Sequence, residues 1–268
     1  MLYTDASLLL AAVTLCKQPS DSEAASCVRR LDLAIIIAGA AGSDRPRWLS
    51  SLMSEAQSRM HLRSPEPARE RGKKRKAGAA VDVTPRTSPY ASLGVAELLV
   101  APTMQEYSAK YCTQPFIIRG FAGPDSPNAW PALHRWSSAE YLLDAVGEGR
   151  VVPVECGEAY VDATWGQKIM PFRAFLARVG YNLTDAEGDP DDEGQADTLY
   201  LAQHSLFNQF PILERDFTLP DYVWAEPEAD FHKPLERGPI VNVWVGNSER
   251  HPVSPAHTVS FGYRVQTD

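Results

Sequence analysis

The stretch Ile240-Val-Asn-Val-Trp-Val245 predicts a β-strand, because β-branched and aromatic residues fill it and Pro and Gly bound it. Two shorter stretches, Val151-Val-Pro-Val154 and Leu199-Tyr-Leu-Ala202, share this character. Pro153 within the first of them predicts a sheet edge or a bulge, since proline cannot donate to a strand ladder. With a further strand at Phe116-Ile-Ile118 and a helical stretch from Pro171 to Val179, they predict a mixed α/β domain over residues 90–268.

Helical periodicity characterises residues 1–62. The first predicted helix has one apolar face made of Leu8, Leu9, Ala12, Val13 and Leu15. Asp21 or Ser22 is expected to cap a second helix, which carries Val28, Leu31, Ile35 and Ile36 and ends at Gly42. Pro46 opens a third helix, in which Leu49, Leu52, Met53 and Ala56 recur at helical spacing. These residues predict a small bundle that packs against, or recruits, another element.

Composition changes over residues 63–89, which are rich in Pro, Gly, Ser, Arg and Lys. Such a segment cannot bury enough apolar surface to offset its ordering entropy, so we predict a disordered basic linker. Its cluster Arg71-Gly-Lys-Lys-Arg-Lys76 is typical of a nuclear address, of a phosphate contact, or of a merely solvated charge run. We expect a nuclear protein, with the cytoplasm as the alternative and with nucleic-acid binding resting on these six residues alone.

Bulk composition restricts the class of protein further. The net charge of -8 argues against nucleic-acid binding by the whole chain. No apolar run approaches the roughly 20 residues of a membrane helix, and the first 15 residues lack the positive charge of a signal peptide. The four cysteines show no metal or disulfide spacing, so buried free thiols are expected.

The six histidines show no zincin, zinc-finger or hydrolase spacing. A non-haem Fe(II) oxygenase binds its metal through two histidines and one carboxylate, often beginning as His-x-Asp or His-x-Glu. No histidine here begins such a tripeptide, and His257-Thr258-Val259 comes closest.

Five stretches nevertheless resemble, in order and spacing, the JmjC oxygenases of the lysine demethylase eight group, also called JmjC-domain protein five. They are Pro115-Phe-Ile-Ile-Arg-Gly-Phe121, Val152-Pro-Val-Glu-Cys-Gly-Glu-Ala-Tyr160 with Trp165, Tyr200-Leu-Ala-Gln-His204 with Leu206-Phe207, Pro220-Asp-Tyr222, and Val241-Asn-Val-Trp-Val-Gly246 leading to Ser254-Pro-Ala-His257. The resemblance implies an α+β protein, with an N-terminal helical region followed by a double-stranded β-helix of the JmjC or cupin-like kind.

The resemblance also implies roles for individual residues. His257 matches the first iron ligand, and Tyr200 and Ser254 match hydroxyls that hydrogen-bond 2-oxoglutarate. The substrate pocket matches Glu155, Tyr160, Trp165, Gln203 and Trp244. A carboxylate and aromatic faces suit a guanidinium, so the implied partner is a basic protein or histone peptide, with arginine preferred over methyl-lysine.

Each assignment has a purely structural alternative. Trp165 and Trp244 could be core aromatics, Tyr200 could simply pack, and Glu155 could point to solvent. His204 is expected to be a hydrogen-bonding core histidine.

The metal motif departs from the family at its second ligand. Val259 stands where the family has its carboxylate, and no histidine follows His257 in the 268 residues. The sequence therefore predicts a truncated JmjC domain that binds neither Fe(II) nor 2-oxoglutarate and does not catalyse. The strand at residues 240–245 is then expected to lack most of its partners and to leave apolar side chains exposed.

Two hypotheses account for residues 259–268, which match nothing in the family. Val-Ser can be encoded by a common splice-donor sequence, so an intron read through or a mispredicted gene model is one. The other is a short isoform or degenerate paralogue that acts as a non-catalytic interaction module. In the complete family the activity is that of a protein hydroxylase or a histone demethylase, and the sequence does not separate the two.

Overall fold

The structure, a computed structural model, describes residues 2–61, 94–157, 166–181, 183, 199–202, 204–225, 241–246 and 260–262. It divides into two compact units. The first unit comprises Met1–Ser64, Pro131–Phe217 and Pro239–Asp268, and the second comprises Pro65–Trp130 and Thr218–Gly238. The N-terminal helices and the main sheet therefore belong to the same unit. The predicted linker at 63–89, with its basic cluster, lies outside the described residues, and the predicted domain boundaries there stay predictions.

Three helices form the N-terminal part of the first unit: α1 Leu2–Cys16, α2 Asp21–Ala38 and α3 Arg45–His61. The predicted caps of α2 are wrong by a few residues at both ends. Ser20 is the N-cap, because it forms a capping box with Glu23. Gly39 ends the helix in the left-handed conformation, with φ of 61°, before the chain reaches Gly42.

The helices pack around one apolar cluster. Val28, Leu31 and Ile35 of α2 are buried in it as predicted, together with Leu49, Met53 and Ala56 of α3. The predicted apolar face of α1 is wrong in part. Leu8 and Leu15 are buried, whereas Leu9 and Val13 are exposed, because Thr4, Ser7 and Ala11 complete the packed side of the helix.

A five-stranded antiparallel sheet forms the centre of the first unit. Its strands are β3 Val151–Cys156, β4 Gly166–Pro171, β5 Leu199–Leu201, β6 Asn242–Gly246 and β7 Ser260–Gly262, in the order β4-β3-β5-β6-β7. One side of the sheet, the core face, carries the buried residues Val152, Val154, Leu199, Leu201 and Val243. Alternation along each strand sends the side chains that stand between these residues to the opposite side.

Two predictions about strand exposure are corrected by the sheet order. β3 is not an edge strand, because it lies between β4 and β5. β5 pairs only with Glu155 and Cys156, however, so Pro153 lies on a part of β3 that β5 does not pair. β6 does not lack partners, since β5 and β7 flank it and Val243 is buried. The strand at β7 comes from the segment after Thr258 that matches nothing in the family.

Short helices complete the first unit: α5 Ala132–Arg135, α6 Ala139–Val146, α7 Phe172–Arg178, α8 Leu206–Gln209 and a 3-10 helix at Pro211–Asp216. The helix predicted from Pro171 is confirmed as α7. Asp216 is fully buried and accepts hydrogen bonds from Trp136 Nε1 at 2.7 Å, from the Tyr141 hydroxyl at 2.7 Å and from Arg135 Nη1 at 2.6 Å. These donors tie the 3-10 helix to α5 and α6.

The second unit contains a two-stranded parallel sheet of β1 Ala96–Leu98 and β2 Phe116–Ile118, as well as α4 Met104–Glu106, a π-helical turn at Tyr107–Tyr111 and a 3-10 turn at Asp221–Trp224. Its core is aromatic. The rings of Tyr107 and Tyr222 lie 4.9 Å apart, and those of Tyr111 and Phe116 lie 5.1 Å apart. The Tyr222 hydroxyl donates to the carbonyl of Pro102.

All four cysteines are free thiols, as predicted. Cys27 and Cys156 are buried, but Cys16 and Cys112 are exposed, so the expectation of burial is wrong for those two. Within the described residues, no helix combines the length and the apolar character of a membrane span.

Leu31→Ala is expected to lower the free energy of unfolding by about 2–5 kcal/mol, because Leu31 is fully buried in the helix cluster and its loss leaves a cavity. Leu9→Ala is the matched control, since Leu9 is 67% exposed, and its effect is expected to stay within about 0.5 kcal/mol. Urea denaturation followed by circular dichroism measures both. Equal losses in the two variants would contradict the packing described for these helices.

Candidate functional site

Three of the predicted site residues lie on one side of the sheet. Glu155 in β3 is the cross-strand partner of Tyr200 in β5, and Tyr200 is the partner of Gly246 in β6. Directly paired residues share a side of a sheet, and Trp244 shares that side because it stands two residues before Gly246. This side, the pocket face, is opposite the core face. The structure therefore places Glu155, Tyr200 and Trp244 on three adjacent strands with a common orientation.

The charge on the pocket face comes from Glu155. Its side chain is buried, with 5% of the residue exposed, which rules out the alternative that Glu155 points to solvent. Burial raises the pKa of the Tyr200 phenol, and the negative charge of Glu155 raises it further. Tyr200 therefore remains a hydrogen-bond donor at neutral pH, next to a carboxylate that can accept from a cation.

Gly246 allows the Tyr200 ring to lie flat across the neighbouring strand. A Cβ atom at position 246 would stand 2.5 Å from Cδ2 of Tyr200 and 3.2 Å from the carbonyl oxygen of Leu199. Carbon atoms do not approach so closely, so any side chain at this position forces the ring or the strand to move. The glycine is thus a steric requirement of the pocket face.

His204 lies just after β5 and is a hydrogen-bonded histidine, as predicted. Its Nε2 is 2.7 Å from Oε1 of Gln209. Burial lowers the pKa of His204, while the bond to Gln209 and the charge of Asp32 oppose that change. The neutral imidazole is therefore the favoured form at neutral pH.

A buried polar network beneath the start of β3 was not predicted from the sequence. It joins Asp32 of α2 to Arg150, to the backbone N–H of Val151 and to Gln209 of α8. Asp32, Arg150 and Gln209 are buried polar residues. One signal was present: Asp32 is the only charged residue in Leu31-Asp-Leu-Ala-Ile-Ile-Ile-Ala-Gly39. A lone carboxylate in a buried apolar helix must have partners, because an unpaired buried charge is too costly.

The remaining predicted site residues lie outside the described residues. They are Tyr160, Trp165, Gln203, Ser254, His257 and, at the carboxylate position, Val259. Among the residues that the structure describes, no group of three His, Cys, Asp or Glu side chains is arranged to hold a metal ion.

The chain is similar in sequence to several known proteins. No family model matches the chain. Jumonji C domain-containing protein 5 of Drosophila melanogaster is 36% identical over 161 residues, covering 59% of this chain and 35% of the relative. Lysine-specific demethylase 8 is 30% identical over 161 residues in Xenopus tropicalis and 33% identical over 160 residues in Danio rerio. These matches cover 59% and 58% of this chain, and 30% and 33% of the respective relatives.

These similarities identify the chain as a relative of proteins that carry a JmjC domain. Within that class, it is related to the group named Jumonji C domain-containing protein 5 and lysine-specific demethylase 8, as the resemblance of the five sequence stretches implies. The chain spans about a third of the length of the curated relatives it matches.

Gly246→Ala is expected to lower the free energy of unfolding by about 1–3 kcal/mol, because the new methyl group overlaps the Tyr200 ring. Gly166→Ala at the start of β4 is the matched control. A Cβ there meets no atom within 4 Å, so we expect a change within about 0.5 kcal/mol. Urea unfolding measures both variants. A neutral Gly246→Ala would show that Tyr200 does not lie against β6.

Proposed function

We propose that the sheet of the first unit is a JmjC-type, cupin-like binding domain whose pocket face takes the cationic side chain of a basic peptide. Arginine is preferred over methyl-lysine. The observation that carries the proposal is the common side shared by Glu155, Tyr200 and Trp244 on β3, β5 and β6. Tyr160, Trp165 and Gln203 are proposed to complete the pocket.

The chemistry of these side chains supports a guanidinium ligand. A carboxylate accepts two parallel N–H bonds from arginine, whereas methylation of lysine removes donors. An aromatic face such as that of Trp244 attracts a flat cation. A buried carboxylate strengthens both effects, because the pair is shielded from water.

The donor set at the proposed iron position does not fit Fe(II). The relationship to JmjC demethylases implies an Fe(II)- and 2-oxoglutarate-dependent family, in which His257 corresponds to a metal ligand and Tyr200 and Ser254 to 2-oxoglutarate contacts. Val259 offers no donor atom where the carboxylate ligand is required. We therefore propose that the polypeptide of these 268 residues is a binding module without oxygenase activity.

A second candidate function is Fe(II)/2-oxoglutarate-dependent protein hydroxylation or demethylation. His257 and the spacing of the five family-like stretches favour it, and it requires a carboxylate at position 259. For either function we propose a nuclear location, with Arg71 to Lys76 as the import signal.

Glu155→Gln is expected to weaken binding of a short peptide with a single central arginine by at least about tenfold, because the ion pair is lost while side-chain volume is kept. The peptide is titrated by isothermal calorimetry, beside otherwise identical peptides with trimethyl-lysine or norleucine. Glu140→Gln changes the same charge at an exposed position of α6 and is expected to leave the affinity unchanged. Failure of the wild-type chain to prefer arginine would overturn the proposal.

The wild-type polypeptide is expected to show no saturable Co(II) site, whereas Val259→Asp should raise Co(II) affinity at least about tenfold by adding a carboxylate ligand. Anaerobic titration followed by the visible absorption of Co(II) measures both. Adding His257→Ala to the Val259→Asp variant should abolish the gain. One equivalent of Co(II) held by the wild-type chain, and lost with His257→Ala, would favour the second candidate function.

A further inference from the structure

Asp32 of helix α2 has no exposed surface and accepts hydrogen bonds from three residues that are distant from it in the sequence. Arg150 donates to it from Nε at 3.0 Å and from Nη2 at 2.7 Å. The backbone N–H of Val151 donates at 2.9 Å, and Nε2 of Gln209 donates at 2.8 Å. Both carboxylate oxygens are therefore occupied by donors from the start of β3 and from α8.

Arg150 contacts several groups besides Asp32. Beyond Asp32, its Nη1 donates to the carbonyl of Val146 at 3.2 Å and its Nη2 to the carbonyl of Gln209 at 3.0 Å. The centre of the guanidinium lies 4.4 Å from the centre of the Phe210 ring. A guanidinium with this many directional contacts has one permitted position, so the residue immediately before β3 cannot shift along the strand direction.

Gln209 carries the constraint from Asp32 to the segment after β5. Its Nε2 donates to Asp32 and, at 2.7 Å, to the carbonyl of Val151. These two partners only accept, so the Gln209 carbonyl oxygen must face the other way, toward His204. That oxygen also only accepts, which makes His204 Nε2 the donor and sets the tautomer of the neutral ring.

Val151 and His204, the two residues that this network fixes, are each four residues from a residue of the pocket face. Val151 precedes Glu155 by four residues in β3, an extended length of roughly 13 Å, and His204 follows Tyr200 by four residues in the sequence. Glu155 and Tyr200 are themselves cross-strand partners. One buried carboxylate on a distant helix thus holds both strands that carry them.

A buried ion pair contributes little net stability compared with well-packed apolar side chains, so its effect lies mainly in geometry. We propose that Asp32 is a positioning residue for the pocket face: acting through Arg150, Val151 and Gln209, it sets the alignment of Glu155 with Tyr200. The N-terminal helices are then part of the binding site's framework. The inference that this alignment serves ligand binding rests on the proposed function; the alignment itself does not.

Asp5 and Arg45 provide a matched control. They form an ion pair of the same chemistry, with Arg45 Nε 2.6 Å from one Asp5 oxygen and Nη2 2.8 Å from the other. This pair joins α1 to α3 and is partly exposed. Asp5→Asn therefore removes a helix-to-helix ion pair, whereas Asp32→Asn removes a helix-to-sheet ion pair.

The test compares hydrogen–deuterium exchange of the 268-residue chain in the wild type and both variants, resolved by mass spectrometry over residues 151–156 and 199–202. The wild type is brought to the global stability of each variant with urea, so that loss of stability alone does not change the comparison. Asp32→Asn is expected to speed exchange in both segments about tenfold, and Asp5→Asn less than about twofold. The same variants are titrated with the arginine peptide, for which Asp32→Asn should weaken affinity about tenfold.

Gln209→Met keeps the Asp32–Arg150 pair and is used if Asp32→Asn does not fold. It is expected to speed exchange in 199–202 more than in 151–156. Unchanged exchange at matched stability, or equal effects of Asp32→Asn and Asp5→Asn, would overturn the positioning role. If hydrogen–deuterium exchange changes as expected but the wild type does not bind the arginine peptide, the positioning role stands and the proposed function fails.

Discussion

The buried ion pair between Asp32 and Arg150 is the constraint on which the first unit depends. Neither charge can remain in the core unless every polar group around it is satisfied. The groups that satisfy Asp32 come from residues 150, 151 and 209, which are far from residue 32 in the sequence and close to it only in the folded chain. The helices and the sheet must therefore assemble together, because separating them would break the hydrogen bonds that join Asp32 to Arg150, Val151 and Gln209.

The division of the sheet into two sides follows from the same assembly. Once the start of β3 is fixed, alternation directs Val152 and Val154 into the core and Glu155 to the other side. Cross-strand register then carries this division to β5 and β6, where Leu201 and Val243 face the core. A slip of one residue in β3 would bury Glu155 among valines and leucines. The pocket face thus has a defined composition because the core face tolerates no charge.

Local pattern was enough to predict α1, α2, α3, α7 and the strands β2, β3, β5 and β6, since helical spacing and short β-branched stretches depend on neighbouring residues. It did not predict β1, β4 or β7. Tertiary packing decided the rest. The exposure of Leu9 follows from which side of α1 meets the other helices, and the pairing of β6 with β7 depends on a segment that resembles no family sequence. The candidate site could likewise be predicted only in part from the sequence. Similarity of sequence indicated Glu155, Tyr200 and Trp244, but the contribution of Asp32 required three contacts that no local pattern encodes.

The electrostatics of the pocket face distinguish its two suggested ligands. 2-Oxoglutarate carries two negative charges, and at Tyr200 it would approach the carboxylate of Glu155, whose charge already raises the pKa of the phenol. A divalent metal bound nearby would offset that repulsion. A guanidinium is positively charged, so Glu155 attracts it instead of repelling it, and the aromatic faces beside Glu155 favour it as well. Under the proposed function, binding of a cation draws on Glu155 and on aromatic residues that the sheet aligns with it, whereas the role implied for Tyr200 toward 2-oxoglutarate also requires a complete metal site. Under the proposed function, Val259 at the position of the carboxylate ligand would therefore affect the second role and not the first.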